Sequence, residues 1–128
     1  DLLLEPRMLN KTSWDAIWMR VVDVERGLAR RPYGASGELT FEIPADDMCP
    51  WNAGTWLLET DGENTKVRRT DREAQLSIPI ATLAPLVSGH RPATHYQRIG
   101  RLSGDAEAVA AADLLFRTAY PPLCPNSF

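Results

Sequence analysis

The period of the hydrophobic positions changes along the chain, and each change marks an element. Over residues 14–23, Ile17, Met19 and Val21 alternate with Trp18, Arg20 and Val22. Both sets are largely apolar, which predicts a strand buried on both faces. Asp23 then suits a helix N-cap, with Val24, Gly27 and Leu28 on one face of the helix behind it. Arg30 and Arg31 suit the negative end of that helix, and Pro32 stops it. Residues 37–43 read as a clean strand, with Leu39, Phe41 and Ile43 on one side and Glu38, Thr40 and Glu42 on the other. Residues 55–60 and 65–70 predict two more strands, joined by the tight-turn sequence Asp61-Gly62-Glu63-Asn64. Ala74, Leu76, Ile78 and Ile80 alternate as a fifth, which Pro79 confines to an edge or an end.

The remainder is helical. Residues 81–87 predict a short helix that closes at Ser88-Gly89 and is weakened by Pro85, and residues 94–99 predict one or two turns. Residues 105–119 carry the strongest helical signal: Val109, Ala112, Phe116 and Ala119 form a stripe, and Asp113 and Arg117 stand at i,i+4. Three prolines keep Tyr120-Pro121-Pro122-Leu123-Cys124-Pro125-Asn126-Ser127-Phe128 extended and stiff. The sum is an α+β layer, a single five-stranded sheet with helices packed on one face.

A length of 128 residues makes one domain, large enough to hold a core without metals or cross-links. A net charge of −3 gives no basic field for nucleic acid or an anionic membrane, so neither is expected as a partner. No apolar run has the length of a membrane span, and Leu2, Leu3 and Leu4 lack the flanks of a signal peptide. The first residue is Asp1, which suggests a fragment or processed product. Cys49 and Cys124 read as two buried thiols of a cytoplasmic protein.

Chemistry-bearing motifs are sparse. There is no P-loop and no dinucleotide fingerprint. His90 and His95 stand five apart around Pro92, without further ligands, so no metal site is expected. Nothing in the chain offers the glycine-rich strand-to-helix turn that would cradle the pyrophosphate of acetyl-CoA. Cys49-Pro50-Trp51-Asn52-Ala53-Gly54 has the residues of a rigid connector, with Trp51 expected to anchor it by burial. Trp14, Trp18, Trp51 and Trp56 suit either a pocket wall or the core and an interface, the second being the commoner use. Arg68, Arg69 and Arg72 read as a solvated strand face rather than an anion patch. The stiff tail ends in a free carboxylate, ionised at neutral pH, that can reach a neighbouring site and take a proton from an ammonium group.

Leu4-Glu5-Pro6-Arg7 and residues 13–24, the hexapeptide 49–54, Ala112-Asp113-Leu114-Leu115-Phe116 and the closing Cys124-Pro125-Asn126-Ser127-Phe128 together resemble the carboxy-terminal domain of enhanced-intracellular-survival (Eis) acetyltransferases. The resemblance implies a sterol-carrier-protein-like (SCP2-like) fold over residues 14–128, with residues 1–13 an entry segment from a preceding domain. It implies a cytoplasmic GCN5-related N-acetyltransferase (GNAT) that moves acetyl from acetyl-CoA to an amine acceptor, an aminoglycoside in the best-known members. The cofactor and the catalytic tyrosine would belong to the missing first domain, so this chain binds no cofactor and is not catalytic alone. None of Tyr33, Tyr96 or Tyr120 matches that tyrosine. The family role of general base falls on the terminal carboxylate of Phe128, with Ser127 and Asn126 as acceptor-pocket neighbours. The family also implies a homo-oligomer, commonly a hexamer. The chain departs from the pattern at Pro79, where an acidic helix cap is expected, and in Tyr120-Pro121-Pro122-Leu123, which lacks a tryptophan. A sterol- or lipid-carrier module is the alternative function.

Overall fold

A computed structural model describes residues 17–120 and Pro122. Its elements run α1 (Val24–Ala29), β1 (Gly37–Ile43), a 3-10 turn (Pro50–Asn52), β2 (Gly54–Thr60), β3 (Thr65–Arg69), β4 (Leu76–Ser77), α2 (Ile80–Val87), α3 (Ala93–Arg98), β5 (Ser103–Gly104) and α4 (Ala106–Leu115). The five strands form one sheet in the order β3-β2-β1-β4-β5. All neighbours are antiparallel except β1 and β4, which run parallel. The α+β architecture built on a single five-stranded sheet, expected from the sequence, is therefore the one observed.

Register decides which face carries the core. Leu39 stands opposite Leu58, and Phe41 opposite Trp56, with Val67 beside Leu58 and Leu76 beside Phe41. These side chains meet Leu83 and Leu86 of α2, Tyr96 of α3, and Val109, Ala112 and Leu115 of α4 in one cluster. Each fully buried Leu or Phe there contributes roughly 1.5–3 kcal/mol. The opposite face carries charged residues around the buried Thr40 and Leu57; Arg68 of β3 pairs there with Glu59 of β2, and Arg72, beyond β3, with Glu38 of β1. The β2–β3 hairpin closes as expected: the Asp61 carboxylate accepts from the backbone N–H of Asn64 and Glu63. Those bonds hold its pKa below the ordinary carboxylate value.

The structure departs from the sequence reading at the first strand and the last helix. Residues 17–23 form no strand, and Ile17, Trp18, Met19 and Val22 are exposed. The count of five is met instead by β5, a two-residue strand that pairs with β4. The helix expected over residues 105–119 ends at Leu115, and Ala119 is exposed. Extending it would give the Leu115 and Phe116 carbonyls to the next turn of N–H groups. Both carbonyls accept from the Arg31 guanidinium instead.

At Pro79 α2 starts without a side-chain cap, and the Pro79 carbonyl accepts from the Thr82 and Leu83 N–H groups. Asp113 makes no ion pair with Arg117. Its carboxylate turns to α3, accepting from the Thr94 N–H at 3.1 Å and from the Thr94 hydroxyl.

Candidate functional site

Two constructions in the fold bear on function: the loop holding the hexapeptide, and the junction from which the chain leaves α4.

The loop is built on buried polar groups. Cys49 and Pro50 begin a 3-10 turn, closed by Asn52 N–H to Cys49 C=O at 2.9 Å. This sets the Asn52 side chain inward, where it is fully buried. Its Oδ1 accepts from the Val24 N–H at 3.0 Å, and its Nδ2 donates to Asp46 Oδ2 at 2.9 Å. Weaker contacts reach the Val21 and Val22 carbonyls. Asp46 in turn accepts from the Met48 and Cys49 N–H groups and pairs with Arg20. Burial alone would raise the Asp46 pKa, but the bonds from Asn52 and Cys49, the charge of Arg20 and the bond from Met48 outweigh it and hold the carboxylate below its ordinary value.

Beneath the loop, Trp56 Nε1 donates to the Asn52 carbonyl at 2.9 Å. Arg69 lies over the Trp56 ring, 4.1 Å from its centroid, and donates to the Ala53 and Trp51 carbonyls. Gly54, at φ +120°, holds a conformation strained for any larger residue, and a Cβ there would lie 2.2 Å from Arg69 Nη1 and displace that guanidinium.

The hexapeptide is thus the rigid connector expected, joining antiparallel β1 and β2. Its anchor is Asn52, however, and not Trp51. Trp51 is exposed and only its Nε1 is fixed, donating to the Val22 carbonyl at 2.8 Å. Composition could suggest a rigid turn but could not say which of the two adjacent residues points inward. Nor do the tryptophans share a pocket: Trp18 and Trp51 are exposed and Trp56 is buried, while Trp14 lies outside the described residues. The three arginines are exposed, as expected of solvated positions rather than an anion patch, with Arg68 and Arg72 in ion pairs and Arg69 bound to backbone carbonyls.

The exit junction is organised by Arg31. Its Nε donates to the Val87 carbonyl at 2.7 Å, its Nη1 to Leu115 at 3.1 Å and its Nη2 to Phe116 at 2.8 Å. One cation therefore satisfies the last carbonyls of both α2 and α4, where helix dipoles favour positive charge. The Tyr33 and Phe116 rings lie 4.8 and 5.5 Å from its carbon, and the Tyr33 hydroxyl donates to the Leu28 carbonyl. Burial lowers the Arg31 pKa from its ordinary value, partly offset by Tyr33. The guanidinium still stays protonated at any physiological pH. Burial likewise pushes the Tyr33 phenol up to about 12, partly offset by Arg31.

Gly89 completes the junction. At φ +73°, it faces Thr118 so closely that a Cβ would lie 2.2 Å from Thr118 Oγ1. The chain past α4 is thereby pressed against the end of α2. Beside it opens a cleft of about 420 Å³, lined by Leu86, Phe116 and Leu114 with Arg91, Asp113 and Thr118.

Three helix N-termini are already occupied by carboxylates. Asp23 caps α1, Asp105 caps α4, and Asp113 accepts from the first turn of α3. A pyrophosphate would meet negative charge at each, the reverse of what an anion site at a helix N-terminus needs. Among the described residues no group of His, Cys, Asp and Glu could hold a metal ion, and both His90 and His95 are exposed. Among the described residues no helix is long and apolar enough to cross a membrane. The Tyr96 hydroxyl is buried and has no hydrogen-bond partner among the described residues. Cys49 is buried. Asn126, Ser127, Phe128 and Cys124 lie outside the described residues.

A mixed five-stranded sheet with helices on one face, a buried-polar connector after β1 and an arginine-sealed exit from the last helix define a class, and comparison with known families gives it a name. The chain belongs to the sterol carrier protein domain family, which it matches over residues 24–125. It is 33% identical over 123 residues to an uncharacterized N-acetyltransferase of Streptomyces coelicolor, covering 95% of this chain and 30% of that protein. In structure it is similar to Eis1 from Mycobacterium abscessus, with a TM-score of 0.76 and 33% identity over 87% of this chain and 28% of that one. It is also similar to a GCN5-related N-acetyltransferase from Anabaena variabilis, with a TM-score of 0.74 and 27% identity over 80% of this chain and 26% of that one. The chain therefore spans under a third of each of these three proteins, one named an N-acetyltransferase and one a GCN5-related N-acetyltransferase.

Proposed function

We propose that this chain is the carboxy-terminal domain of a cytoplasmic GNAT-family N-acetyltransferase, which completes the active site without binding acetyl-CoA itself. The observation that carries the reading is similarity over nearly the whole of this chain to N-acetyltransferases three times its length. In this reading residues 1–13 are the entry from the preceding GNAT domains. The terminal carboxylate of Phe128 is the general base that deprotonates the acceptor amine, and Ser127 and Asn126 border the acceptor. The Arg31 junction fixes the chain where it leaves α4, ahead of the residues that carry the carboxylate in this reading. The domain also contributes to a homo-oligomer interface.

A positioned general base contributes about 10²–10⁴-fold to rate. Appending one residue after Phe128 in the intact polypeptide moves the carboxylate without touching the domain. Acetyl transfer to an amine should fall by a factor in that range, with acetyl-CoA binding retained. Unchanged turnover would dismiss the carboxylate role.

The lipid-carrier alternative has one observation in its favour, the apolar cleft beside α4. Its volume falls within the range of small-molecule pockets. Saturable binding of a fluorescent fatty acid, displaced by sterol, would favour that reading, and no saturable binding would dismiss it.

A further inference from the structure

The cleft beside α4 opens where the chain leaves that helix. Leu86, Pro92, Leu114 and Phe116 form its apolar wall, and the exposed Arg91 and Arg117 line it too. Among the described residues neither arginine makes an ion pair, and the Asp113 carboxylate is already bonded to Thr94. The cleft thus offers apolar surface beside two cationic donors. Thr118 is part of the same lining, so the chain starts its exit at the cleft. It then bends at Ala119 and Tyr120, where the Thr118 hydroxyl donates to the Tyr120 carbonyl at 2.8 Å.

We propose that Leu123 of the same chain seats in this cleft and anchors the tail. Leu123 itself lies outside the described residues. Tyr120 is 83% exposed, so Leu123, after two prolines, is the next large apolar side chain that can fill the cleft. It follows Thr118 by five residues, which span at most about 18 Å, and the bend shortens that reach. Residues 119–128 carry no charged side chain, and Pro121, Pro122 and Pro125 have no N–H. The segment therefore has more carbonyl acceptors than donors, which suits Arg91 and Arg117. The prolines also reduce the conformational freedom lost on seating. The consequence for catalysis rests on the function proposed above: a seated Leu123 leaves only residues 124–128 to span to the acceptor, and Leu123 is a positioning residue for the Phe128 carboxylate.

The test is maleimide labelling of the intact polypeptide in a Cys124→Ser background, each site read by peptide mass spectrometry. Leu114→Cys, at a position 61% exposed within the domain, should label several-fold faster once Leu123→Ser is added, while Leu123→Met keeps the rate low. A second reporter, Arg91→Cys, should follow it. Rates at both reporters that Leu123→Ser leaves unchanged would overturn the seat, whether the cleft is open or covered by something else, a bound lipid included. In the same polypeptide Leu123→Ser should lower kcat for acetyl transfer by about tenfold to a hundredfold, with the KM for acetyl-CoA unchanged and activity restored by Leu123→Met. Faster labelling with unchanged turnover would overturn the positioning role. A polypeptide without acetyl-CoA-dependent activity would overturn the functional reading, and the labelling would still decide the seat.

Discussion

Arg31→Met is the substitution that most directly probes the exit junction. Methionine keeps an unbranched stem against Tyr33 and Phe116 but removes the guanidinium. Three carbonyls on two other helices lose their donor, Val87, Leu115 and Phe116. A hydrogen bond to a charged group contributes about 1.5–3 kcal/mol. Arg31 is only partly buried and water can replace part of each bond, so about 1 kcal/mol apiece is the fairer figure. The lost stacking on two rings adds roughly 0.5–1 kcal/mol. The total, about 3–4 kcal/mol, is well below the roughly 6–19 kcal/mol expected for a domain of this length, so the variant should still fold. Urea unfolding followed by circular dichroism should show a lower midpoint with an unchanged slope. Thermal unfolding should drop by about 10–20 °C. Arg31→Lys should recover no more than about one of the three bonds, because an ammonium group cannot fork across two helix ends. A loss below about 0.5 kcal/mol for Arg31→Met would refute the junction, since an ordinary surface substitution costs no more. So would full recovery by lysine.

Three further outcomes are expected. Asn52→Asp sets a carboxylate against Asp46 where an amide now donates at 2.9 Å, so stability should fall at neutral pH and partly recover on acidification, as one of the pair takes a proton; a loss that deepens as pH falls would contradict this. Tyr33→Phe should cost about 1 kcal/mol at neutral pH for the bond to Leu28. In the parent the folded-state phenol pKa is raised to about 12, so its stabilisation is present below the ordinary value of about 10 and lost as pH rises through 12; the variant should show a shallower alkaline loss, read from urea midpoints. Gly54→Ala forces a side chain to φ +120° and against Arg69, at a cost of about 1–3 kcal/mol, and an unchanged melting temperature would contradict the tight turn.

Legibility from sequence followed how local each signal was. Asp23 read as a helix cap because a cap bonds within its own first turn, and it does, whereas Asp105, read as the first residue of the last helix, is its cap. The β2–β3 hairpin was legible for the same reason, since Asp61 binds the N–H groups two and three residues ahead. Alternation located β1 but misled at residues 17–22, because an apolar period reports that a segment is to be covered, not what covers it. β5 has only two residues and no period to read. Asn52 and Arg31 were missed as anchors because their partners lie 28 and 56 to 85 residues away. A buried asparagine and an arginine look like surface residues until the contacts exist. The general-base assignment to Phe128 came from resemblance alone, and its neighbours Ser127 and Asn126 with it.

The central claim is that this chain is one part of a longer acetyltransferase, and the intact mass of the protein purified from its source cell tests it most directly. The account predicts a polypeptide about three times the length of this chain, carrying these residues at its carboxy terminus. A native polypeptide of only these 128 residues would leave the terminal carboxylate without an active site in its own chain and contradict the account.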